Sequence, residues 1–166
     1  MRKEVVRNSG DLCKSIEAVF QKVDNELRLL DAEGCGSTAT VCIIRNEFGH
    51  RILYTANVGD SRAVLSKNGV AERLSIDHRP TEFSEVERVK REGGIIFDNR
   101  LGGTLAITRA MGDHALKKDG LSSVPHINKH VLRPFDNYVI IASDGVWDSL
   151  EDQDAVNLCK DTQTTK

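Results

Sequence analysis

The sequence predicts an α+β chain built on largely antiparallel sheets. Two pairs of β-rich runs are each joined by a short turn, which makes hairpins rather than crossovers. Helical patterns stand at the start, middle and end of the chain instead of alternating with single strands. The 166 residues, 39% apolar and 29% charged, suit one soluble domain spanning 1–166 with a core of its own.

Each element has a local reason. Leu12, Ile16, Val19, Phe20, Val23, Leu27 and Leu30 recur at helical spacing and share one face, and Gly34 and Gly36 end the pattern. Thr38–Ile44 and Arg51–Val58 are rich in β-branched and aromatic residues, with a turn around Gly49. Arg62–Ser66 and Val70–Leu74 flank Asn68-Gly69, a strong hairpin signal because both residues tolerate positive φ. Pro80 opens a helix to Glu92, with Phe83, Val86 and Val89 inward and Gly93-Gly94 as its stop. Thr104–Thr108 reads as a short strand in an irregular stretch. Tyr138–Ser143 reads as a strand buried on both faces. Ser149, with Asp152 three residues on, starts a helix over Asp152–Lys160.

Composition excludes several functions. A net charge of −2 offers no footprint for nucleic acid or an anionic membrane, and 5% aromatics offer no stacking platform. No apolar run is long enough to span a bilayer, and the N-terminus does not read as a signal peptide. Cys13, Cys35, Cys42 and Cys159 lack paired metal spacing and read as small buried residues of a cytoplasmic protein. His126 and His130 sit among Pro125 and Asn128, which does not make a metal-binding helix face. Asp152-x-Asp154 has Asn157 where a calcium loop needs glycine, and Gly34-Cys-Gly-Ser lacks the lysine of a phosphate loop.

The chemistry sits where strands end. Arg51–Val58 runs into Gly59-Asp60, and Tyr138–Ser143 runs into Asp144-Gly145, with Asp148 four residues further. An acid at a strand end leaves the core yet stays rigidly placed, and the adjacent glycine allows close approach. Gathered carboxylates repel one another unless a hard cation such as Mg²⁺ offsets the cost. Asp60, Asp144 and Asp148 are therefore candidate metal ligands.

The segments GCGSTAT (34–40), ANVGDSRAVL (56–65), DHRP (77–80), EGG (92–94), LAITRAMGD (105–113) and ASDGVWD (142–148) together resemble the type 2C, metal-dependent protein serine/threonine phosphatases. The resemblance implies a partial α-β-β-α sandwich of two antiparallel sheets flanked by helices. It implies phosphomonoester hydrolysis by a water that two Mg²⁺ or Mn²⁺ ions activate, with a phosphoprotein as substrate. Asp144 and Asp148 match the acids of the family's D-G-x-W-D motif, and Asp60 that of G-D-S-R, all as metal ligands. Trp147 is expected to pack beneath the loop. Arg109 and Asp113 are expected to form an internal ion pair.

The chain departs from the family pattern at both ends. The family's Asp-Gly-His-Gly-Gly run, with its bridging aspartate and candidate acid histidine, does not occur, nor does its downstream Asp-Asn pair. Asp98-Asn99 and Asp136-Asn137 stand upstream of Asp144 and do not inherit that role. The expectation is a domain truncated at both ends, binding metal weakly and inactive by itself. The alternative is a pseudophosphatase, a binding or regulatory module that keeps the fold without the chemistry. Sheet edges left without neighbours, with partial loss of cover over Ile43, Tyr54, Val139 and Ile141, are expected to recruit a second copy as a homodimer. Exchange of the helix Leu12–Leu30 or Asp152–Lys160 is one route to it.

Overall fold

Turn chemistry sets the strand pairs. A computed structural model describes residues 10–30 and 34–163. In chain order these form helix α1 (Leu12–Arg28) and strands β1 (Gly36–Ser37), β2 (Ala39–Glu47), β3 (His50–Val58), β4 (Arg62–Lys67) and β5 (Val70–Arg73). Helix α2 (Phe83–Arg91), strands β6 (Ile96–Phe97), β7 (Arg100–Leu101) and β8 (Met111–Gly112), and a 3₁₀ helix (His114–Asp119) follow. Strands β9 (His126–Val131) and β10 (Asp136–Ala142) and helices α3 (Asp144–Trp147) and α4 (Asp152–Gln163) complete the order. Asn68 and Gly69 take φ of 52° and 81°, as the β4–β5 hairpin requires. Asp98 and Asn99, at 51° and 54°, close a β6–β7 hairpin without any glycine, which is why it is hard to read from sequence. Among the described residues no helix is long and apolar enough to cross a membrane.

The chain divides into two compact units. One holds Met1–Ala39, Val58–Asp60 and Asp77–His126; the other holds Thr40–Asn57, Ser61–Ile76 and Ile127–Lys166.

The second unit carries two three-stranded sheets, ordered β10-β4-β5 and β2-β3-β9. β10, β4 and β5 pair antiparallel, with Val139 opposite Leu65 and Val64 opposite Arg73. Side chains alternate along a strand, so each strand serves two layers. Leu65 and Ala63 join Leu53 and Leu74 in one cluster, with Cys42, Leu132 and Val139 packed against it. Val64 faces the other way, into Trp147, Ala155 and Val156 of α3 and α4. This is a sheet–sheet–helix stack. The inner strands are buried, whereas neither β2 nor β10 holds a fully buried residue. The expected doubly buried strand at Tyr138–Ser143 is not fully buried: Ile141 is 49% exposed, and among the described residues β10 stands at the end of its sheet. Ile43 and Val139 are half-buried, but Tyr54 is fully buried, against expectation.

The first unit packs Val89 of α2 with Leu101, Ala110 and Leu121. Two helix faces differ from the sequence reading. In α1 the buried stripe is Leu12, Ser15, Ile16, Phe20 and Asp24, while Val23 and Leu30 are exposed. Asp24 goes inside because it accepts from the Gly112 N–H at 2.8 Å and pairs with Lys117 at 3.0 Å. In α2 the inward residues are Glu85, Arg88 and Val89, and Phe83 points to solvent. That helix starts three residues after Pro80, and its N-cap is Glu82. Thr104–Thr108 forms no strand; it contributes only the isolated bridge of Leu105 to Leu101.

Candidate functional site

The end of β10 becomes a helix, not a turn. Asp144 is the first residue of α3 and Asp148 is its C-cap, and the Asp148 N–H donates to the Asp144 carbonyl at 2.7 Å. Residues four apart lie one turn above each other, so both carboxylates leave the same face of a single turn. Asp144 and Asp148 are exposed while Trp147 between them is buried. The indole N–H of Trp147 donates to the Ala142 carbonyl at 2.8 Å, and the Arg62 guanidinium lies 5.2 Å from the ring centroid. Arg62 is in turn fixed by Asp152 at the start of α4, which also accepts from Arg73 Nε at 2.7 Å. Burial would raise the Asp152 pKa, but hydrogen bonds from Arg73 and Arg62 outweigh it and hold it below its ordinary value. The short helix is thus anchored from beneath, as expected for Trp147, and presents two acids to solvent.

Asp60 belongs to the other unit. Gly59 takes φ +85°, and a side chain there would bring its Cβ to 2.3 Å from Thr38 Cγ2. The glycine is required by both its conformation and its close neighbour. Asp60 follows, buried, with Arg79 Nε 3.1 Å from its carboxylate. The segment after it is held by His78, whose backbone N–H and Nδ1–H both donate to the Gly59 carbonyl, at 3.0 and 3.1 Å. Burial, with the charge of Arg109 next, pushes the His78 pKa down to about 4, so the imidazole is neutral. Sequence reading assigned His78 no role; the signal was the DHRP segment itself.

The expected Arg109–Asp113 pair is not what forms. Arg109 Nη2 donates to Glu85 at 2.6 Å, and Arg109 Nη1 donates to the Val124 carbonyl. Glu85 also accepts from Arg88 Nη2 at 2.8 Å and from the Thr108 hydroxyl at 2.7 Å. Burial would raise its pKa, but these donors together hold the carboxyl well below the usual range. Asp113 instead lies against Gly36, where an added Cβ would sit 2.0 Å from its Oδ2. That close approach accounts for glycine in GCGS opposite MGD, at the β1–β8 pair.

Oxygen donors suit a hard divalent cation, and Asp144 and Asp148 supply two on one turn. Among the described residues no group of three or more His, Cys, Asp or Glu side chains is placed to hold a metal ion. The pair on α3 is an incomplete coordination set, and a cation there needs further donors.

The profile of the family described as Protein phosphatase 2C matches residues 2–166. The chain belongs to the protein phosphatase 2C family. It is 39% identical over 163 residues to Protein phosphatase 2C homolog 1 of Schizosaccharomyces pombe, covering 95% of this chain and 47% of that one. It is 38% identical over 155 residues to Protein phosphatase 2C homolog 1 of Saccharomyces cerevisiae, covering 86% and 55%. The chain thus spans about half the length of these relatives. Among solved structures, a serine-threonine phosphatase 2C from Toxoplasma gondii shares the fold with TM-score 0.78 at 24% identity, over 92% of this chain and 56% of that one. A C. elegans sex determining protein superposes with TM-score 0.78 at 28% identity, over 90% and 36%.

Proposed function

We propose that this phosphatase 2C chain carries part of the catalytic apparatus of a metal-dependent protein serine/threonine phosphatase, with a phosphoprotein as substrate. The observation that supports it is the anchored turn of α3, which exposes Asp144 and Asp148 within the ASDGVWD segment of a family member. Asp60, in the other unit, is proposed as a further Mg²⁺ or Mn²⁺ ligand of the chain. When bound, such ions supply an activated water and neutralise charge on phosphorus. The protein's own contribution is positional: Trp147 and Arg62 fix α3 from beneath, and so hold its carboxylates in place.

Cation affinity follows ligand number and charge, so the chain by itself binds weakly. Calorimetry with Mn²⁺ is expected to give a Kd on the order of 1 mM, raised at least about threefold by Asp144→Asn. An assay with p-nitrophenyl phosphate and Mn²⁺ is expected to show no turnover above background, because catalytic groups that act as a unit fail together. Turnover comparable to that of the longer relatives, abolished by Asp144→Ala, would show that the chain is catalytically self-sufficient. Mn²⁺ binding that ignores all three Asp→Asn changes would remove these acids from the metal site.

A further inference from the structure

The unit that holds Asp60 supplies that acid with a cation of its own. The DHRP segment is fastened to the Gly59 carbonyl through the His78 backbone N–H and ring, and the His78 carbonyl accepts from the Thr108 N–H at 2.8 Å. Arg79 thus leaves a backbone fixed on one side by these bonds and on the other by the ring of Pro80. Its Nε lies 3.1 Å from Asp60 Oδ2. An arginine keeps its charge, and a carboxylate as buried as Asp60 needs a cation beside it. The pair differs from the Glu85 cluster of the same unit. Arg88 and Arg109 also donate to backbone carbonyls and are only 10% and 18% exposed, so they are built into the packing. The Arg79 side chain is 35% exposed, and water can receive its guanidinium when it moves off the acid.

We propose, on the reading of Asp60 as a metal ligand, that Arg79 is the resident counter-ion of Asp60 and sets its affinity for metal. A divalent cation takes this carboxylate only by displacing the guanidinium toward solvent. Two cations at one buried carboxylate repel each other, so whatever the arginine contributes to holding Asp60 is subtracted from what the metal gains. The exchange also favours divalent ions. A monovalent ion brings no more charge than the arginine it displaces, whereas Mg²⁺ or Mn²⁺ brings more. Arg79 acts through Asp60 and is a positioning residue: it holds the acid ready and keeps weaker cations off it.

Mn²⁺ calorimetry, with thermal unfolding in the absence and presence of about 10 mM Mn²⁺, tests this. Arg79→Gln is expected to tighten Mn²⁺ binding about fivefold, a gain that a merely structural arginine would not give. Its thermal midpoint is expected to fall without the ion, because Asp60 loses its partner, and to return toward that of the unaltered chain with Mn²⁺. Arg79→Lys, which keeps the charge, is expected to bind Mn²⁺ within about twofold of the unaltered chain. Arg91→Gln, which removes the same charge from an exposed position at the end of α2, is expected to change neither readout. The gain from Arg79→Gln is expected to vanish when Asp60→Asn is added. Unchanged or weaker Mn²⁺ binding in Arg79→Gln, while Asp60→Asn by itself still weakens binding, overturns the proposal and leaves Asp60 a ligand. Asp60→Asn without effect in either background removes Asp60 from the metal site, and the proposal with it. If Arg79→Gln does not fold, refolding in Mn²⁺ decides: a chain that folds only with the ion supports the exchange, and one that stays unfolded overturns it.

Discussion

Glu85 is a buried hub of polar contacts in the first unit. One buried carboxylate gathers two guanidinium groups and a hydroxyl, and Arg88 continues to the Thr108 and Gly120 carbonyls. The cluster ties α2 to segments 108–109 and 120–124 through polar bonds where a sheet would use a ladder. Breaking a buried ion cluster from one side leaves charge uncompensated, which costs about 3–5 kcal/mol. Glu85→Ala is expected to lower stability by that amount in urea unfolding, whereas Glu87→Ala, on the exposed face of the same helix, is expected to change it by less than about 0.5 kcal/mol. Equal effects of the two would mean that Glu85 contributes only its surface. The sequence shows Glu85, Arg88 and Arg109 as ordinary charged residues. Their burial depends on partners 20 or more positions away, which no local period reveals.

At the scale of elements, α3 shows how a four-residue helix is made dependable. A helix this short has no stability of its own, since nucleation is costly. Trp147 supplies it by burying its ring with Val64, Ala155 and Val156 and by hydrogen bonding back to β10. Trp147→Ala is expected to cost about 3–5 kcal/mol and to weaken Mn²⁺ binding, although the tryptophan carries no donor. Asp148→Asn, at an exposed position, is expected to weaken binding while lowering the thermal midpoint far less than Trp147→Ala does. A tryptophan variant that melts earlier yet binds metal normally would disconnect the anchor from the acids. α1 is fixed in a comparable way: Asp24→Ala strands the buried Gly112 N–H and should cost about 2 kcal/mol. Hairpins with Asn-Gly were legible because the turn alone determines them, and the position of Asp144 and Asp148 just past the end of β10 followed from the strand pattern. The inward faces of α1 and α2 were only partly legible. Hydrophobic spacing assigned Val23 and Phe83 to the interior, but Asp24, Glu85 and Arg88 took those places by satisfying buried backbone and charge. The place of β10 at the end of its sheet's strand order among the described residues was illegible for a related reason: its composition matches that of a central strand, and only the observed pairing shows it.

For the molecule as a whole, the shifted groups combine into one acid response. The neutral His78 has a pKa of about 4 against 6.5 for an ordinary histidine, so between those values the unfolded chain binds more protons. Folding stability therefore falls as pH drops from 6.5 to 4, by at most about 3 kcal/mol from this residue, and its contribution levels off below. Glu85, Asp136 and Asp152 are all held below their ordinary values despite burial, by arginine and hydroxyl donors, by the Arg133 N–H and His130, and by Arg73 and Arg62 respectively. Their stabilisation is complete above the unfolded carboxylate range and is lost as pH falls beneath it, which places a steeper loss below about pH 4. Urea unfolding at about pH 7.5, 5 and 4 should show the shallow decline first. His78→Asn offers a side-chain N–H for the Gly59 carbonyl but does not titrate. It is expected to lower stability at neutral pH through lost packing and to flatten the decline between pH 6.5 and 4, leaving the steep acid limb in place. A decline of unchanged slope in that variant would assign the first stage to other groups, and a flat profile in the unaltered chain would show that His78 is not held neutral at all.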